Sequence, residues 1–161
     1  MNATRLLEQQ HREVEALFAK VEKGAKDARA TVKELAQNLL AHMVIAQTHF
    51  CPEVQEADAD GVYEAYEEHH IARTQINRLL ATEADDETFK AKVIALKELI
   101  EHHVKEEEGE LFPKARKKVP VERLTTLGAA MKKEFEQLVG RLPRTLHARA
   151  ESTDVLADAT A

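Results

Sequence analysis

The run His103-Val104-Lys105-Glu106-Glu107-Glu108-Gly109-Glu110-Leu111-Phe112-Pro113 is the one from which the rest of the chain can be read. His103 and Glu107 stand four positions apart, so on a helix they lie one turn apart on the same face, with Cβ atoms about 5–6 Å from each other. Upstream, Phe89, Val93, Leu96 and Ile100 lead into His103 at helical spacing, which puts the histidine on the apolar stripe. Pro113 removes an amide donor and is expected to stop this helix.

An earlier segment repeats the plan. His42-Met43-Val44-Ile45-Ala46-Gln47-Thr48-His49-Phe50-Cys51-Pro52 lies over it without a gap, each proline ten positions after its histidine. Val32, Leu35, Leu39, His42 and Ile45 form its stripe, Asp27 is placed to cap its start, and Pro52 marks its expected exit. Two further helices each carry one histidine among apolar neighbours. His11 sits between Leu7 and Val14 on a stripe with Leu6, Leu17, Phe18 and Val21, and Gly24 ends that helix. His69 follows Val62 and Tyr66 and precedes Ile76 and Leu80, after a turn at Asp58-Ala59-Asp60-Gly61. The spacing is 31 from His11 to His42 and 34 from His69 to His103. Two helix hairpins of one plan predict a pseudo-twofold site between them.

The fold class expected is all-α: an up-down-up-down four-helix bundle over residues 1–118 and a short fifth helix over 119–142. That fifth helix begins near Pro120 and carries Leu124, Leu127, Met131, Phe135 and Leu138. Residues 143–161 turn to Ala, Thr, Arg, Asp and Ser and read as a poorly ordered tail. The composition agrees. Of 161 residues, 43% are hydrophobic and 4% aromatic, and five glycines with four prolines are too few for the turns of an all-β fold. A single cysteine excludes a disulfide framework and suggests a reducing compartment. Lys and Arg total 23 against 29 acids, and the resulting charge of −6 argues against a nucleic-acid or anionic-membrane surface. The start, Met1 to Glu8, turns polar at once, and no run reaches the ~20 apolar residues of a membrane span. Cytoplasmic location is the expectation.

Imidazoles and carboxylates projecting inward from four helices are the usual donors of metal pairs in bundle cores. Nitrogen and oxygen donors without thiolate suit iron or manganese, and zinc can occupy the same set. Three strings make the likeness specific: Glu8-Gln9-Gln10-His11-Arg12-Glu13-Val14, Glu67-Glu68-His69-His70, and His102 through Pro113. They resemble the hemerythrin-like, or HHE cation-binding, domain family over about residues 4–118. The resemblance implies a four-helix bundle with a non-haem di-iron centre, and His11, His42, His69, His103 and Glu107 as metal ligands. It further implies binding or sensing of dioxygen, nitric oxide or iron. The alternatives are a peroxide-decomposing di-iron enzyme and a metal-poor structural or regulatory bundle. The implied partner is a small diatomic ligand or peroxide, with no nucleic acid and no membrane.

One departure stands out. The family's second helix normally carries His-x-x-x-Glu, but position 46 is Ala, and Cys51 replaces the usual aromatic. Losing that carboxylate makes the site more positive by one charge. It leaves open a mononuclear site, an altered two-metal site, or one that takes little metal. His49, two turns after His42, is the candidate substitute ligand. The plainer readings are weighed alongside. Any one of these histidines alone is ordinarily a core residue satisfied by hydrogen bonds, and four in repeated register favour a metal site. His70 and His102 flank the stripe, and His147 lies in the tail. Glu106 is a fallback ligand, and Glu108 is expected to point away. Cys51 reads as a small buried hydrophobe, and Tyr66 as core.

Overall fold

The computed structural model describes residues 1–24 and 27–141, so the expected tail at 143–161 lies outside the described residues. Among the described residues every regular element is helical. Helix α1 spans Ala3–Glu22, α2 Ala28–Ile45, α3 Cys51–Val54, α4 Ala59–Leu80, α5 Phe89–Glu106, α6 Phe112–Lys118 and α7 Val121–Arg141. No helix among the described residues is long and apolar enough to cross a membrane.

Local chemistry sets the ends. The Asn2, Asp27 and Asp58 side chains accept from the amides of Arg5, Ala30 and Gly61, satisfying first-turn donors that have no helical partner. Helix α4 begins at Ala59, so the expected Asp58–Gly61 turn is its cap and first turn. Gly24 leaves α1 at φ 70°, a left-handed conformation that favours glycine.

The two prolines do not end their helices, contrary to the expectation. A π-helical turn over Ala46–Phe50 joins α2 to α3, and another over Glu107–Leu111 joins α5 to α6. In each, an amide reaches five residues back, Cys51 to the Ala46 carbonyl and Phe112 to the Glu107 carbonyl. Proline follows immediately, at the start of the next α segment. An α-helix would set the proline ring against the carbonyl four residues earlier, and the wider turn relieves that clash. Thr48 Oγ1 donates to the Val44 carbonyl at 2.8 Å, a side-chain bond in the widened stretch.

Helix α1 packs on α2 and α5, and α4 packs on α5 and α2, which closes a ring of four rods. Helix α7 lies outside the ring against α1 and α2. It falls within the expected 119–142 and, at 21 residues, is as long as α1 rather than short beside it. Its approach is close at Gly128, where an added Cβ would stand 2.6 Å from the Met1 carbonyl oxygen. The apolar interior forms two clusters. One holds Phe18, Leu35, Met43, Ile76 and Leu96, and the other holds Leu7, Phe50, Phe112, Leu124 and Met131. The buried polar residues His11, His42, His69, His103 and Glu107 belong to neither.

Candidate metal centre

Each rod of the ring brings a histidine inward, and the five expected donors are all buried, at 1–4% exposure. His11 Nε2 lies 3.2 Å from one Glu107 oxygen, and His103 Nε2 lies 3.5 Å from the other. His69 Nε2 stands 3.1 Å from His103 Nε2. One donor atom each from His42, His69, His103 and Glu107 falls within a common span of 4.8 Å.

A second ring of contacts orients these imidazoles. His103 Nδ1–H donates to Glu68 at 2.6 Å, His11 Nδ1–H to Glu108 at 2.8 Å, and His42 Nδ1–H to the Gln10 carbonyl oxygen at 2.9 Å. A carboxylate or amide oxygen accepts in each, so the proton sits on Nδ1 and the Nε2 lone pair faces inward. Phe112 stacks on His11 with ring centroids 5.9 Å apart, holding that ring from outside.

Protonation follows from burial and neighbours. Burial, then the adjacent His11 and His103, pushes His42 well below the usual histidine range; burial and His103 do the same to His69. Burial works to raise the Glu107 carboxyl, but His103, His11 and His69 draw it down to about 2. His42 and His69 are therefore neutral and Glu107 is ionised, whereas at His103 burial is outweighed by Glu107 and Glu68, which raise it. Among those donors His11 Nε2, His42 Nε2 and both Glu107 oxygens are buried with no hydrogen-bond partner. Leaving one such atom unsatisfied costs about 1–3 kcal/mol. Four acceptor atoms gathered without a donor fit a cation, and nitrogen with one carboxylate fits a transition metal.

The profile of the hemerythrin HHE cation binding domain matches residues 2–115. The chain belongs to that family. A solved hemerythrin HHE cation-binding domain-containing protein from Mycobacterium kansasii has a similar fold, with TM-score 0.82 and 24% identity over 96% of this chain and 98% of that one. No curated protein matches.

Within this hemerythrin-like centre, several expectations change. His49 does not replace the missing carboxylate; it pairs with Glu134 of α7. The π turn between His42 and His49 holds the extra residue, which turns the later side chain away from the face that strict α-helical spacing assigns it. Glu108 does not point away; it bonds His11 across the α1–α5 contact and also pairs with Arg12. Glu106 pairs with His102 at 3.1 Å, outside the buried donors. Burial and then Glu107 push the Cys51 thiol up to about 12, in keeping with a buried hydrophobe. Gln10 and Glu68 were not singled out from the sequence. Each immediately precedes a helix-borne histidine yet bonds the histidine of a different helix, and that position is the only signal that could have found them.

Proposed function

We propose that this hemerythrin-like chain is a non-haem iron protein that binds or senses a small diatomic molecule, dioxygen or nitric oxide, within an up-down-up-down bundle. The supporting observation is the apolar wall of the cavity that the donors themselves line. His11, His42, His69 and His103 line it together with Val14, Leu39, Met43, Ile100 and Val104. Apart from the imidazoles, its walls are apolar side chains. An apolar diatomic molecule gives up little hydration to enter, whereas peroxide would give up several hydrogen bonds for which only the imidazoles offer partners.

His11, His42, His69, His103 and Glu107 would hold the iron, which when bound would supply redox chemistry and an open position for such a molecule. Gln10, Glu68 and Glu108 keep the imidazole lone pairs aimed inward. The apolar walls keep bulk water out. Manganese and zinc suit the same donors, but zinc lacks the redox chemistry that the reading requires.

The test is an anaerobic one. Iron-loaded, reduced protein exposed to dioxygen or nitric oxide should change its absorption spectrum, and removing the gas should reverse the change. No response to either gas, with oxygen evolved from peroxide by protein freed of loose iron, would replace this reading with the enzymatic one.

A further inference from the structure

The two halves of the bundle correspond helix by helix, at an offset of 58 residues for the first helix of each pair and 61 for the second. His11 corresponds to His69, and His42 to His103, and the π turns at Ala46–Phe50 and Glu107–Leu111 fall at the same register. The same offsets pair the residues around the donors. Glu107 corresponds to Ala46, Glu68 to Gln10, and Glu108 to Gln47. Every carboxylate that touches an imidazole in one half is thus neutral in the other. The bonds follow the same correspondence. Glu68 holds His103 as Gln10 holds His42, but Gln47 does not hold His69 as Glu108 holds His11. Gln47 accepts instead from Arg73, leaving His69 Nδ1 buried and unpartnered. Arg73 corresponds to Glu15, and its positive charge bears on His69.

Charge counts ions. One divalent ion beside Glu107 meets three carboxylates, one of them shared with Arg12, and that arrangement is close to neutral. A second ion in the other half would have no carboxylate of that half and could only share Glu107 with the first. Uncompensated charge in a buried site carries a penalty of several kcal/mol per ion.

Resting on the metal-binding reading above, we propose that this centre holds one divalent ion, on the Glu107 side, and that the Ala46 side is closed to a second. Ala46 is then one of several matched changes rather than an isolated loss.

The experiment is an anaerobic titration of the full chain with ferrous ion, followed by elemental analysis and EPR of the oxidised form. The expected result is one iron per chain at saturation, with the full signal of an isolated high-spin ferric ion. Two irons per chain, forming a spin-coupled pair, would overturn the proposal and leave metal binding standing. No uptake would overturn the metal-binding reading, and this proposal with it. Ala46→Glu, alone and combined with Gln10→Glu and Gln47→Glu, tests the cause. A variant whose circular dichroism matches the parent should gain a second iron on restoring the carboxylates. Folded variants that all stop at one iron would overturn the charge argument.

Discussion

Replacing Glu68 with Gln isolates what one carboxylate outside the donor ring contributes. Glu68 is 12% exposed and accepts the His103 Nδ1 proton at 2.6 Å. Glutamine keeps an acceptor oxygen at the same reach but removes the charge, turning this contact into a copy of the Gln10–His42 contact across the centre. Losing a partner of this kind costs about 10–100-fold in metal affinity, and retention of the hydrogen bond sets Glu68→Gln near tenfold, about 1.4 kcal/mol. Glu68→Ala, which loses the bond too, should approach a hundredfold. A ligand at 1,000 times its Kd stabilises a protein by about 4.1 kcal/mol, and a tenfold weaker one by about 2.7 kcal/mol. With about 2–4 °C per kcal/mol at this chain length, the metal-induced rise in Tm should shrink by roughly 3–6 °C. Thermal unfolding with and without ferrous ion reads the difference directly. If the Tm of metal-free protein falls as far as that of loaded protein, Glu68 is only a structural residue and the reasoning is refuted.

Gly128→Ala should lower stability by about 1–2 kcal/mol net, because its Cβ would meet the backbone of Met1, Asn2 and Ala3 at 2.6–2.7 Å while helix propensity returns about 1 kcal/mol. Gly109→Ala meets nothing within 4 Å, so it should be neutral or stabilising; equal denaturation midpoints for the two variants would refute the contrast. Cys51, fully buried with its thiol raised to about 12, should resist thiol-labelling reagents in folded protein and react once denatured. Stoichiometric labelling of the native chain would contradict that. His49→Ala removes a partly exposed pair with Glu134, so it should cost at most about 1 kcal/mol and leave the metal spectrum unchanged. An altered spectrum would return His49 to the centre.

The helices were legible because each packs one stripe inward, and residues such as Leu7, Phe18, Leu35, Leu39 and Leu96 that mark the stripes are buried. The burial of the five expected ligands was legible for a related reason. His11, His42, His69 and His103 lie on those stripes, and Glu107 stands one turn beyond His103. The π turns were not legible, since a proline in a helical pattern signals an end unless the preceding turn can widen, and nothing local declares that. The π turn misled the reading of His49, because one extra residue rotates whatever follows. Glu108, Glu68 and Gln10 depend on which helix faces which, and that information is tertiary. The extent of α7 was legible as well, since its stripe through Leu138 and the Gly140 and Pro143 beyond it bracket an end at Arg141.

The buried polar layer has a mechanical consequence. Because His11, His42, His69, His103 and Glu107 belong to neither apolar cluster, the interior is two blocks stacked on a hydrophilic seam. Only the four rods run through it, and α7 braces one block alone, the one holding Leu124 and Met131. The blocks can therefore open separately, the unbraced one first. Amide exchange should divide the molecule at that seam into a faster end around Leu35, Ile76 and Leu96 and a slower end around Leu7, Phe50 and Phe112.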